Sequence, residues 1–244
     1  MNQIEFIGPP GAGKSTLHAD LIEQNNLFGG VDDGAIDRLI QEDHRLYQLF
    51  YRMAFGRIQS TLKWELFYHR YHRDAFRRYI SENVAALDIV PEISRCATRA
   101  PEEAVLFYKK TIENYQLAID SKMPQEIFCW DEGFAMAAVA ILWRAESNNF
   151  PLKKYFQGIP TPTALVYVDA PREVCLERAN SREQQTLSKG WINDQQRAYD
   201  RHQTACEHVV ETLSDEVKII HVKNTGSIKK TSEEVSTKLD DMFE

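Results

Sequence analysis

Apolar residues in this chain follow three successive spacings. At the start, Ile4, Phe6 and Ile7 in Gln3-Ile4-Glu5-Phe6-Ile7 form a short apolar run that predicts a strand. From Lys14, the residues Leu17, Leu21 and Ile22 fall on one side of a helix. Helical spacing then dominates from about Asp33 to about Asp120. It is carried by Leu46, Leu49, Phe50 and Met53, by Trp64, Phe67, Tyr68 and Tyr71, and by Phe107, Ile112, Tyr115 and Ile119. Within it, Asp88-Ile89-Val90-Pro91 fits either a short strand or a helix end.

After residue 120 the pattern alternates. Glu126-Ile127-Phe128-Cys129-Trp130-Asp131 reads as a buried strand, and the Ala-rich run from Phe134 to Trp143 as a helix packed on a sheet. Pro151, Pro160 and Pro162 punctuate a loop region around one short helix. Ala164-Leu165-Val166-Tyr167-Val168-Asp169 is the next strand. Pro171 opens a helix to about Asn180, where its fixed φ and missing N–H suit the first turn. Tyr199 to Leu213 is a further helix, and Val217 to Val222 a last strand. Strands alternating with helices imply an α/β fold with a parallel sheet covered on both faces.

The chain's 244 residues suit one large domain, or one domain carrying an insertion. The four cysteines, Cys96, Cys129, Cys175 and Cys206, form no CxxC pair, so a zinc site or disulfide framework is not expected. Cys129 and Cys175 sit among apolar neighbours and read as core. The histidines make no metal pattern with them. A net charge of -7 opposes bulk attraction to nucleic acid. No apolar run is long enough to span a bilayer, and the N-terminal residues lack the basic start of a signal peptide. The expectation is a cytoplasmic protein with no nucleic-acid or membrane partner.

The chemistry concentrates in Gly8-Pro9-Pro10-Gly11-Ala12-Gly13-Lys14-Ser15, which matches G-x-x-x-x-G-K-[ST] between a strand and a helix. Glycines let the backbone wrap an anion with its N–H groups turned inward, and the helix opening at Lys14 adds its free amides. Lys14 reaches the β- and γ-phosphates of a nucleoside triphosphate, and the Ser15 hydroxyl is a Mg²⁺ ligand. A nucleoside triphosphate and Mg²⁺ are therefore expected here. A carboxylate belongs at the end of a neighbouring strand, and Asp131 is placed there, followed by Glu132. Asp131 either serves the Mg²⁺ ion or acts as general base, and Glu132 competes for the second role. The structural alternative is that the pair caps the helix from Gly133. Asp169, before Ala170-Pro171, reads as a helix cap.

Arg178 and Arg182 lie four residues apart at the end of the helix after Asp169. Guanidinium groups suit the charge that spreads over a transferring phosphoryl group. The polar stretch that follows reads as a lid-like segment over residues 178–197, with Lys189 and Arg197 as further candidates. In the helical middle, Arg70, Arg73 and Arg77 share one face beside an aromatic stripe, which an amphipathic helix explains. Arg95 and Arg99 are candidates to meet an anionic acceptor.

These residues resemble P-loop kinases of the nucleoside and nucleotide kinase group, thymidylate kinase-like in particular. The resemblance rests on Gly8 to Thr16, on Asp131-Glu132-Gly133, and on Val166-Tyr167-Val168-Asp169-Ala170-Pro171-Arg172-Glu173-Val174-Cys175-Leu176-Glu177-Arg178. It implies a three-layer fold with a sheet of about five strands, one domain over residues 1–244, and ATP and Mg²⁺ as the cofactors. The helical insertion 33–120 would lie on the acceptor side. It also implies Thr16 in the nucleotide site and a base-facing loop at Asn224, Thr225 and Gly226. Thymidylate kinases carry an arginine after the aspartate where this chain has Glu132. The Asp-Glu-Gly-Phe form is similar to that of uncharacterised bacterial thymidylate kinase-like ATPases. The expected activity is transfer of the ATP γ-phosphate to a small acceptor such as a nucleoside, nucleotide or sugar. The alternative is a regulatory ATPase acting on a protein partner.

Overall fold

The computed structural model describes residues 2–24, 28–29, 33–42, 69–122, 127–146, 149–181 and 194–243. Its centre is a parallel sheet of five strands: β1 (Asn2–Ile7), β2 (Phe28–Gly29), β3 (Ile127–Trp130), β4 (Ala164–Asp169) and β5 (Lys218–Lys223). Their order across the sheet is β2-β3-β1-β4-β5. Glu5 lies opposite Trp130 on one side of β1, and Ile7 lies opposite Tyr167 on the other. The first strand is therefore central, and the chain leaves it between two neighbours whose carboxyl ends flank the phosphate loop. Open α/β sheets bind ligands at such a point.

Side chains alternate across the sheet. Ile4, Phe6, Cys129, Val166 and Val168 pack to one face, against α1 (Lys14–Gln24), α8 (Arg172–Asn180) and α10 (Ile228–Phe243). Ile7, Phe128, Trp130, Leu165 and Tyr167 pack to the other. That face carries α5 (Pro101–Asp120), α6 (Phe134–Arg144) and α9 (Gln195–Leu213). The remaining helices are α2 (Asp33–Glu42), α3 (His69–Glu82), α4 (Val90–Cys96) and α7 (Leu152–Gln157).

Helix α6 is apolar on every side and buried along almost its whole length, as expected of a helix sandwiched between other helices and a sheet. Full burial of Phe134, Ile141 and Leu142 contributes about 1.5–3 kcal/mol each. The four cysteines are buried and free.

Several expectations needed adjustment. Strand β2 is only two residues long and takes in Gly29, which the sequence suggests as part of a flexible pair. Asp88 to Pro91 is not a strand: a 3-10 turn over Val84–Leu87 runs into α4, with Pro91 in its first turn. Asp169 does not cap α8. It remains in β4, and Pro171 occupies the cap position with no side-chain bond, so the helix proper starts at Arg172. Helix α9 starts four residues before Tyr199, because Asp194 accepts hydrogen bonds from the N–H groups of Gln196 and Arg197. Arg70, Arg73 and Arg77 gather around Asp74, while Tyr71, His72, Ala75 and Tyr79 of α3 are buried. Leu46, Leu49, Phe50, Met53, Trp64, Phe67 and Tyr68 lie outside the described residues. Among the described residues, no helix is long and apolar enough to cross a membrane.

Candidate active site

The phosphate loop runs from Gly8 to Gly13, between the end of β1 and the start of α1. Its shape is held by its own backbone and by distant braces. Ala12 N–H donates to Pro9 O at 3.2 Å. Asn224, after β5, is 1% exposed, and its Nδ2 donates to Ala12 O at 2.7 Å. Its backbone N–H donates to Asp169 O at 2.7 Å. Gly13 has φ 95°, and a Cβ there would lie 2.3 Å from Asn224 Nδ2. The loop therefore requires glycine both for its conformation and for the approach of its brace. Arg178 Nη1 donates to Gly11 O at 3.4 Å, which puts this arginine of α8 at the loop.

Lys14 Nζ lies over the loop, donating to Gly8 O at 2.7 Å and Pro9 O at 3.1 Å. Ser15 and Thr16, in the first turn of α1, are exposed. Thr225 and Gly226 are exposed after β5, whereas Asn224 faces inward and supports the loop from behind.

Asp131, Glu132 and Gly133 turn the chain from β3 into α6. Neither acid caps that helix. Gly133 is the cap residue and has no side chain to bond the helix. The capping carboxylate comes from β1: Glu5 Oε2 accepts from Ala135 N–H at 2.6 Å, and Gln3 Nε2 donates to Glu5 Oε1 at 2.6 Å. Glu5 is fully buried, and a Cβ on Gly133 would lie 2.4 Å from its Cδ. Burial pushes the Glu5 carboxyl up to about 7, against the bonds from Ala135, Gln3 and Phe134 that favour its charged form. The cap of α6 is thus supplied by Glu5.

Both acids share a cavity of about 230 Å³ with Lys14 and Ser15. Its apolar wall comprises Phe107, Met136, Ala140 and Trp143. Pro10, Arg144 and His202 complete the lining. The Glu132 carboxyl is raised from its ordinary range by desolvation in this cleft and by Asp131. Lys110 and Lys14 pull it back. Burial, with Lys14 and Arg144 adding to it, lowers His202 to about 3, so its ring is neutral at physiological pH. Its Nδ1 lies 3.7 Å from Cys206 Sγ. The Cys206 thiol is pushed up to about 12 by burial, so it is no nucleophile.

The structure thus brings Lys14, Ser15, Asp131 and Glu132 to one cavity, with Arg178 at the adjoining loop. Arg182 and Lys189 lie outside the described residues. Among the described residues, no three His, Cys, Asp or Glu side chains converge as a metal cage. A hydroxyl and a carboxylate beside a phosphate loop suit Mg²⁺, which takes few protein ligands and keeps its waters. Glu5, Arg144 and His202 escape the sequence reading. Only Glu5 leaves a trace there, as an acid in the middle of an apolar strand.

No family model matches the chain, and no curated protein matches it in sequence. Its fold is similar to that of deoxyadenosine kinase from M. mycoides, in the structure with the products dCMP and a flexible dCDP bound. The TM-score is 0.50 at 12% identity, over 98% of this chain and 99% of that one. The same enzyme with dCTP bound gives 0.49 at 12% identity, over the same shares of the two chains. The two chains thus share a fold: in this one, a parallel sheet of five strands lies between layers of helices, with the Gly8–Gly13 loop after its central strand.

Proposed function

We propose that the chain is an ATP- and Mg²⁺-dependent kinase that transfers the γ-phosphate to a hydroxyl of a small molecule. The observation that carries this reading is the shared cavity, where Lys14 and Ser15 meet Asp131 and Glu132 beside an apolar wall. A phosphate loop alone binds nucleotide; a partly apolar cavity with two carboxylates in its lining gives an acceptor somewhere to sit.

In this reading the loop amides and Lys14 hold the β- and γ-phosphates. Ser15 and Asp131 hold Mg²⁺, which when bound neutralises phosphate charge. Glu132 is the general base, since a carboxyl raised by its surroundings accepts a proton more readily than an ordinary one. The acceptor oxygen forms a bond to the γ-phosphorus, the bond from that phosphorus to the β–γ bridging oxygen breaks, and the hydroxyl proton passes to Glu132. Arg178 neutralises charge on the transferring group, and Arg182 joins it in the lid-like segment 178–197.

Two variants test the assignment under ATP and Mg²⁺ with a panel of nucleosides, nucleotides and sugars. Lys14→Ala should lose nucleotide binding and turnover. Glu132→Gln should keep ATP affinity while kcat falls about 10²–10⁴-fold. Unchanged ATP affinity and turnover in Lys14→Ala would sink the reading, and so would ATP turnover that no acceptor stimulates.

A further inference from the structure

The two acids of the cavity stand beside a competitor for their carboxylates. Helix α6 begins at Phe134, two residues after Glu132, and its first amides have no partner within the helix. Acids beside a helix start are drawn to those amides, by hydrogen bonding and by the helix dipole alike. Here the amide of Ala135 is already taken, by Glu5 of β1 at 2.6 Å.

Glu5 touches the chain on both sides of the acid pair. In the ladder between β1 and β3 it lies opposite Trp130, the residue before Asp131. Its carboxyl lies against Gly133, the residue after Glu132, where a Cβ would come within 2.4 Å of Cδ and 2.5 Å of Oε2. Gly133 has φ -83° and ψ -162°, extended backbone that any residue adopts. The glycine is therefore required by the space that Glu5 fills, not by its own conformation. Gln3, 3% exposed, donates to Glu5 Oε1 at 2.6 Å and fixes the rotation of the carboxyl. The Tyr155 hydroxyl donates to Phe134 O at 2.9 Å and holds the first residue of α6. Glu5 is fully buried in the middle of β1, where desolvation opposes its charge. A serine or asparagine at position 133 would cap α6 without that cost, so capping by itself does not account for a carboxylate brought from the central strand.

We propose that Glu5 is a positioning residue: by occupying the Ala135 amide it keeps Asp131 and Glu132 turned into the cavity that holds Lys14 and Ser15. Without Glu5, a carboxylate of the acid pair moves onto Ala135 N–H and leaves the cavity. The chemical roles of the two acids rest on the kinase reading; their placement by Glu5 does not.

Three variants test this. Glu5→Ala removes the competitor, Glu5→Gln keeps an oxygen for Ala135 N–H, and Gly133→Ala pushes the carboxyl of Glu5 off the helix. Each is titrated by calorimetry with the β,γ-imido analogue of ATP, with and without Mg²⁺. Affinity without Mg²⁺ reports on the loop and Lys14. It should stay at the wild-type level in all three, and serves as the folding control. The tightening by Mg²⁺ should fall about tenfold or more in Glu5→Ala and Gly133→Ala, and return in Glu5→Gln. Glu5→Ala combined with Gly133→Ala should lose no more than Glu5→Ala alone, since the added methyl group then meets no carboxyl. A crystal structure of ligand-free Glu5→Ala should show Asp131 or Glu132 bonded to Ala135 N–H. The positioning role is overturned if both acids still line the cavity in that structure, or if Mg²⁺ tightens the analogue in Glu5→Ala as in the wild type. It is also overturned if Glu5→Gln loses as much as Glu5→Ala, if the double variant is worse than both parents, or if the affinity without Mg²⁺ is lost. In turnover assays, kcat of Glu5→Ala should fall about 10²-fold with little change in KM. Phosphorylation of an acceptor by Glu5→Ala at the wild-type rate overturns the positioning role and leaves the kinase reading intact. Acids moved in the Glu5→Ala structure, with no acceptor phosphorylated by the wild type, uphold the positioning role and fail the kinase reading.

Discussion

At the scale of single residues, Glu5 joins stability to function. Its carboxyl titrates near 7 in the folded chain, against 4.5 as its ordinary value. Below about 4.5 the group is protonated in both folded and unfolded chains. As pH rises from there to about 7, the unfolded chain releases the proton first, and the folded state loses relative stability. The loss reaches about 3 kcal/mol and then levels off. Glu5→Gln keeps an oxygen for Ala135 N–H and cannot ionise. The difference in unfolding free energy between wild type and Glu5→Gln should therefore turn against the wild type between pH 5 and 8. Denaturant titrations at several pH values measure it, and a pH-independent difference would refute the assignment. The lysine and serine of the phosphate loop were legible because their motif is contiguous. The duty of Glu5 was not, because its partner Ala135 lies 130 residues away and only folding brings the two together. The same distance explains why capping by Asp131 and Glu132 stayed open as the alternative: with β1 out of sight, they are the nearest acids to the helix.

At the scale of elements, four of the five strands and the helices around them follow from apolar spacing. The exceptions have local causes. Two residues at the sheet edge are too short for any period, which hid β2. Proline near a β-branched residue left α4 ambiguous until its packing was known. The early start of α9 is a capping effect, and Asp194 carries it. Asp194 Oδ1 accepts from Gln196 N–H at 2.9 Å and Arg197 N–H at 3.3 Å. Asp194→Ala should cost about 1 kcal/mol and fray the first turn. Faster hydrogen exchange at residues 195 to 199, with the rest of α9 protected, is the expected signature.

Across the whole molecule, the site is assembled from segments far apart in the chain. Lys14, Asp131, Arg178 and Asn224 come from four separate crossings of the sheet's carboxyl edge. The sheet order could not be read from spacing, since apolar period does not tell which strand lies beside which. The parallel arrangement could, because helices fall between the strands. Asn224 tests this long-range dependence. Asn224→Ala leaves Ala12 O without its brace, which should cost about 1–3 kcal/mol. ATP affinity should also fall, although Asn224 lies behind the loop. Calorimetric titration with ATP and Mg²⁺ checks it, and full affinity in this variant would show that the loop holds its shape unaided.

The bond between Asn224 and Ala12 spans 212 residues. The loop precedes Asn224 in the sequence, so it leaves the ribosome before the group that braces it. The two strands that flank β1, β3 and β4, also follow it far along the chain. A nascent chain halted before residue 224 thus carries the complete nucleotide motif without its finished form. The loop takes its braced form only once the segment that carries Asn224 has been made.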